Sequence, residues 1–211
     1  MKASERTVRM RFLPAFLLLL PARSADSGVA PALPVLARVD LEALKAGRAI
    51  HRHEREDGGR VSGLSAVVAR AAPEEVWRHV LDFDAYASFL PYVTSSRTVD
   101  RSEEADGPKI VAALELTTLR IVTRYRMEHR PHVEEGWCSW TLVPERGNPL
   151  RGATGSWQIS PFDGDPGRTL LVYRADVTMG WWIPDFLQVR AAERGLPVLV
   201  DLVRRRAEGR R

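Results

Sequence analysis

From Val93 to Met179 apolar and polar residues alternate with a period of two, the mark of strands with one buried face. Six segments carry it: Val93–Arg101, Lys109–Thr118, Arg120–Arg130, Gly136–Pro144, Gly152–Pro161 and Thr169–Met179. On the third, Ile121, Thr123, Tyr125 and Met127 oppose Arg120, Arg124, Arg126 and Glu128. On the fifth, Ala153, Gly155, Trp157 and Ile159 oppose Thr154, Ser156, Gln158 and Ser160. On the sixth, Leu171, Tyr173, Ala175, Val177 and Met179 oppose Arg174 and Asp176. The gaps hold turn formers: Asp106-Gly107-Pro108, Pro131, Gly147-Asn148-Pro149 and the run Asp163 to Gly167. Short connections of this kind predict an antiparallel meander.

The flanks have other periods. Asp40 is placed to cap a short helix, Leu41 to Lys45, ended by Gly47. Ala49 to Glu54 and Val61 to Arg70 read as two strands around the turn signal Asp57-Gly58-Gly59. Pro73 opens a helix with Glu74 and Glu75 in its first turn, and Val76, Trp77, Val80 and Leu81 share one face. Asp84 is positioned to cap a further short helix bearing Tyr86, Phe89 and Leu90, stopped by Pro91. After Pro184 the period becomes helical: Phe186, Val189, Leu196, Val200 and Val203 form a stripe, with Pro197 inside it as an expected kink. A sheet with one apolar face must be covered, and the last helix is the long element available. The expected fold is α+β, a helix-grip fold in which a curved antiparallel sheet wraps around a long C-terminal helix.

The N-terminus changes the picture of location. Lys2, Arg6, Arg9 and Arg11 precede the apolar run Phe12 to Leu20, and Ala22 and Ser24 supply small residues beyond it. This is the pattern of a secretory signal peptide, too short to span a bilayer, which takes about 20 apolar residues. Cleavage is expected after Ser24 or Ala25, and Met10 is an alternative start to Met1. Residues 1–25 thus read as a signal peptide, the Pro- and Ala-rich residues 26–38 as a linker, and 39–211 as the folded domain with a basic tail. The expected mature protein is periplasmic or extracellular.

Composition then narrows the class. Of 211 residues, 45% are apolar and 27% charged, which excludes a disordered chain and a polytopic membrane protein. The lone Cys138 excludes an internal disulfide. The net charge of +4 first hints at an anionic partner. Loss of residues 1–24 removes five of 31 bases (Lys2, Arg6, Arg9, Arg11, Arg23) and one of 27 acids (Glu5), leaving 26 of each. The remaining asymmetry is Arg204, Arg205, Arg206, Arg210 and Arg211 against Glu208. With basic residues otherwise interleaved with acids, nucleic-acid binding is not expected.

The catalytic inventory is thin. Ser62, Ser65, Ser88 and Ser156 lie in no nucleophile-elbow context. His51 and His53 share a strand face, a spacing open to a metal pair, but Arg52 and Glu54 flank them and no third ligand is evident. His129 and His132 straddle Pro131 at an expected strand end and read as exposed. Cys138 alternates with Trp140 and Leu142 and reads as an inert buried thiol. Glu115 either faces the interior as a hydrogen-bonding or acid group, or pairs with a surface arginine across strands. No catalytic residue, metal or cofactor is assigned, and the enzyme question leans to no.

Three segments carry a family resemblance. "VVARAAPEEVWRHVLDFDAYASFLPYV" (67–93) resembles the opening of the START-like (SRPBCC) superfamily, in its polyketide cyclase/dehydrase and coenzyme Q-binding branch. "LRGATGSWQISPF" (150–162) and "MGWWIPDFLQVRAAERGLPVLVDLVRR" (179–205) are similar to its later strand and closing helix. The resemblance implies a ligand cavity between helix and sheet. Inward candidates are Tyr125, Met127, Trp140, Trp157, Tyr173, Phe186 and Val189, with Phe89, Tyr92, Trp181 and Trp182 near the mouth. Each alone is open to a plain core-packing role. The expected function is binding or carriage of a hydrophobic small molecule, of the lipid or isoprenoid quinone class. The alternatives are a polyketide cyclase/dehydratase-like enzyme and a protein-interaction module. Trp181 and Trp182, or the Arg204–Arg206 tail, could touch a membrane surface.

Overall fold

The computed structural model describes residues 38–56, 60–118, 121–146, 148, 150–179 and 185–210. The expected signal peptide, the expected linker up to residue 37, the Asp57-Gly58-Gly59 turn, and Trp181 and Trp182 lie outside the described residues. So do the side chains of Phe186 and Val189. Arg38, given to the linker, opens the first helix instead.

Eight strands form one antiparallel sheet: β1 (Ile50–Glu56), β2 (Arg60–Ala69), β3 (Val93–Glu104), β4 (Gly107–Thr118), β5 (Ile121–His132), β6 (Trp137–Leu142), β7 (Leu150–Phe162) and β8 (Asp165–Met179). Their order across the sheet is β1-β2-β8-β7-β6-β5-β4-β3, so the N-terminal hairpin pairs with the last strand. Three helices, α1 (Arg38–Lys45), α2 (Pro73–Val80) and α3 (Asp185–Ala207), and a 3-10 helix (Phe83–Ser88) complete the fold. The helix-grip architecture expected from the alternation is the one observed.

The inner face takes alternate residues of every central strand. Val67 and Ala69 of β2, Leu171 and Tyr173 of β8, Trp157 and Ile159 of β7, and Cys138 and Trp140 of β6 join one apolar cluster. Val76, Trp77 and Val80 of α2 and Val200, Val203 and Ala207 of α3 close over it. At the other end the 3-10 helix lays Phe83 and Tyr86 on Ile110, Ala112 and Leu114 of β4. Tyr125 and Met127 of β5 border both clusters. The α3 helix reaches the sheet at β2, where a Cβ on Gly63 would lie 3.0 Å from Leu196 Cδ1. Glycine there lets the helix sit close to the backbone. The outer face is not wholly solvated: α1 places Leu44 against Ala66, Val172 and Phe162.

Several local expectations are corrected. Asp40 does not cap α1 from outside; it lies within the helix, and its carboxylate accepts from Arg52 Nη2 at 2.5 Å. Asp84 likewise lies inside the 3-10 helix and accepts from the Thr98 backbone N–H at 2.8 Å and hydroxyl at 3.1 Å. Leu81 is the C-cap of α2, and Phe89 and Leu90 lie just past the 3-10 helix. The run Asp163 to Gly167 is mostly strand. Asp163 (φ 57°) and Gly164 (φ 75°) alone make the turn, both in the left-handed region that a tight hairpin demands. Pro131 does not end β5; the strand runs on to His132, pairing Pro131 with Cys138 of β6, while pairing with β4 stops at His129. The missing N–H therefore breaks no bond to β4. His129 is consequently not exposed. It is 4% accessible and packs at a tilt of 39° against Phe83, with 4.2 Å between ring centres.

Arg204 and Arg205 of the basic C-terminal segment lie in the last turns of α3 and are paired. Arg204 and Arg205 both engage Asp201, at 2.5 and 2.8 Å, and Glu208 lies 4.0 Å from Arg204. Charge counting over the last eight residues missed Asp201, one helical turn upstream.

Candidate ligand-binding interior

The middle of the inner face is aromatic because its partners demand it. Trp140 on β6 sits opposite Gly155 on β7. A Cβ on Gly155 would lie 2.4 Å from Trp140 Cζ2, 2.6 Å from Cε2 and 2.2 Å from the Arg174 carbonyl oxygen. Glycine is thus the side chain that lets the indole lie flat across β7. The ring then runs nearly parallel to Tyr173 of β8, with centres 6.0 Å apart and planes at 19°. Trp157, the register neighbour of both Cys138 and Tyr173, meets the same tyrosine at 4.4 Å. Gly152, in contrast, marks a register shift near the start of β7 and has open space around it.

Among the described residues this interior is apolar and uncharged. Burial pushes the Tyr125 hydroxyl up to about 12 and Tyr173 well above the usual phenol range, with Tyr125, Tyr86 and Cys138 adding to the effect at Tyr173. Burial likewise raises the Cys138 thiol, so the sulfur is an inert thiol. Burial lowers His129 to about 4, which keeps its ring neutral. The Trp140 Nε1–H and the His129 Nδ1 are buried with no hydrogen-bond partner. Tyr125 and Met127 face inward yet stay half-buried.

The rim of this interior holds the charges. Arg206 lies over the Phe89 ring at 4.8 Å and donates to His79 Nδ1 at 3.2 Å, and His79 Nε2 meets Glu75 at 3.0 Å. Phe89 also packs edge-on to Tyr86 at 5.5 Å. Tyr92 is 66% exposed, at φ 71°, its carbonyl accepting from Thr117 N at 2.8 Å. It stands outside the aromatic cluster.

Of the expected site residues, the structure brings Tyr125, Met127, Trp140, Trp157 and Tyr173 together and sets Phe89 at the rim. Trp181, Phe186 and Val189 fall on the residues or side chains not described. Glu115 takes the second of its two readings: on the outer face it accepts from Arg124 Nε at 2.7 Å and Thr94 Oγ1 at 3.0 Å. A shallow open groove of about 590 Å³ lies there too, lined by Arg97, Glu115, Arg124, Arg126 and Glu145 among others. Its charged walls and solvent access make it a poor place for an apolar ligand. His51, read as half of a metal pair, meets Ser65 Oγ at 3.0 Å. Ser65 is fully buried, so no substrate reaches it as a nucleophile. Among the described residues no three His, Cys, Asp or Glu side chains group to hold a metal. Sequence reasoning missed His129; the signal was its parity with Tyr125 and Met127, overridden by reading Pro131 as a strand end.

Comparison with known proteins places this geometry. Among solved structures, a START superfamily protein from Mycobacterium smegmatis superposes with a TM-score of 0.58 at 19% identity, covering 70% of this chain and 97% of that one. The Zhui aromatase/cyclase from Streptomyces sp. R1128 gives 0.57 at 15% identity, covering 76% and 94%. A STAR-related lipid transfer protein from Xanthomonas axonopodis gives 0.56 at 15% identity, covering 74% and 98%. These likenesses establish the START-like fold. No curated protein matches the sequence. A family model for polyketide cyclase / dehydrase and lipid transport matches residues 70–203, which span β3–β8, α2 and most of α3. The chain belongs to the polyketide cyclase/dehydrase and lipid transport family.

Proposed function

We propose that this protein binds or carries a hydrophobic small molecule, of the lipid or isoprenoid quinone class, between the sheet and α3. The observation that carries this reading is the aromatic inner face of β5–β8, uncharged and holding an indole N–H with no protein partner. Apolar interiors with a few placed polar groups suit such ligands. Titrating a short-chain isoprenoid quinone while following tryptophan fluorescence tests it. Saturable quenching at one equivalent is expected; linear, non-saturating quenching contradicts it.

A cyclase- or dehydratase-like activity is the second reading, favoured by His129 on the inner face with an unpartnered Nδ1. Its lowered pKa, about 4, counts against it, because a general base works best near the working pH. Incubation with a linear poly-β-ketone thioester decides: a product distribution identical to the spontaneous one contradicts this reading. An interaction module is the third, and a pull-down from envelope fractions without a stable partner counts against it.

Export rests on the pattern of residues 1–25. The protein from a periplasmic fraction should begin at Ala25 or Asp26; a chain that keeps Phe12 to Leu20 in the cytosol contradicts export. Membrane contact through Trp181 and Trp182 goes with that location. The Arg204–Arg206 segment is the weaker candidate, since Asp201 engages two of its charges. Flotation with anionic vesicles tests the contact, and loss of co-flotation in a Trp181→Ala, Trp182→Ala variant is the expected result.

A further inference from the structure

The Trp140 indole is 5% exposed, and its Nε1–H has no partner. Such a group left dry costs free energy comparable to a lost hydrogen bond, and a fold keeps it only where something answers it. Gly155 fixes the ring in place: Cε2, to which Nε1 is bonded, lies 2.6 Å from the missing Cβ. The indole therefore cannot turn its N–H toward β7 carbonyls without losing the flat packing on Tyr173.

The surrounding inventory is one-sided. Tyr173 stacks on the indole, and Tyr125 lies near enough to influence the Tyr173 hydroxyl. Both can donate; the indole can only donate. Of the buried charged side chains among the described residues, Arg130 pairs with Glu104, Asp106 and Glu128 on the outer face, and Asp40 lies on α1. An ionised ligand group would meet no buried counter-charge among the described residues of this face and would lose its hydration.

We propose that the ligand carries a neutral hydrogen-bond acceptor, a carbonyl or ether oxygen on an apolar frame, which the Trp140 Nε1–H receives beside the Tyr125 and Tyr173 hydroxyls. This rests on the interior being the binding site and names what it selects. It favours ketones, esters and quinones over plain hydrocarbons and over fatty-acid carboxylates.

Two probes separate the ideas: 2-acetylnaphthalene, and 2-ethylnaphthalene, which has the same frame without the oxygen. In ¹⁵N-labelled protein the Trp140 Nε1–H resonance is identified by its absence in Trp140→Phe. It should move downfield with the ketone and stay nearly fixed with the hydrocarbon. Trp140→Phe should lower ketone affinity about fivefold relative to hydrocarbon affinity, the worth of one net hydrogen bond. If both probes bind and move the resonance equally, or leave it unmoved because a resident water answers the N–H, the acceptor preference is overturned while the interior site stands. If neither probe binds the wild-type protein, the interior site falls and the preference with it. Should Trp140→Phe fail to fold, the contrast between the two probes on the wild-type resonances still decides.

Discussion

At the residue scale the structure turns on the Trp140–Gly155 pair. The glycine is fixed by steric exclusion, since its φ lies outside the left-handed region and needs no special freedom. Adding one methyl group meets a backbone oxygen at 2.2 Å as well as the indole, and the oxygen cannot step aside. Gly155→Ala should therefore cost about 2–3 kcal/mol, at the upper end for overpacking, measured by urea unfolding. A loss below 0.5 kcal/mol, the usual range of surface changes, would contradict this packing. His129 makes a second prediction. Its folded-state pKa lies near 4 against an ordinary value of 6.5, so the unfolded chain binds the proton first. The stability this neutral histidine allows is fully present above pH 6.5 and is lost as pH falls toward 4. The loss is on the order of 3 kcal/mol. Comparing wild type with His129→Phe from pH 7 to 4 isolates it: the wild type should lose stability more steeply, and parallel curves would contradict a buried neutral ring.

At the element scale the last turn of α3 is pinned by Arg206, which joins it to His79 on α2 and covers Phe89 beyond the 3-10 helix. Arg206→Ala removes a hydrogen bond and a cation over a ring, together about 1–2 kcal/mol. Hydrogen exchange should speed up in the last two turns of α3 while β6–β8 stay protected; uniform protection would show that the clamp is idle. Elements were legible in proportion to how local their cause is. Period-two alternation in β5, β7 and β8 and the stripe Leu196, Val200, Val203 are set by one-sided burial, and both are visible in sequence. The start of β8 was not, because Asp165, Pro166 and Gly167 look like loop residues. Two left-handed residues, Asp163 and Gly164, already complete the turn. Pro131 misled in the same way: a proline is harmless where a strand has lost its second neighbour, and pairing is invisible in one sequence.

At the scale of the molecule, four helical elements share one sheet unequally. α2 and α3 cover the inner face at the β2–β8 end, the 3-10 helix covers it at β4, and α1 backs the outer face. The half-buried Tyr125 and Met127 border both inner clusters, beside the proposed ligand site. That the inner face is aromatic was readable from the inward parity of Tyr125, Trp157 and Tyr173. That Glu115 points outward was left open by the sequence and decided by its contact with Arg124 across the strands. The orphaned indole N–H could not be foreseen, because it depends on which residue lies opposite Trp140. The central claim, a hydrophobic ligand inside this sheet, is tested most directly by native mass spectrometry of the protein after mild purification. A population heavier than the polypeptide by one extractable apolar molecule is expected, lost when Met127→Trp fills the space. A polypeptide that stays at its bare mass, and takes up neither an added phospholipid nor an isoprenoid quinone, would contradict it.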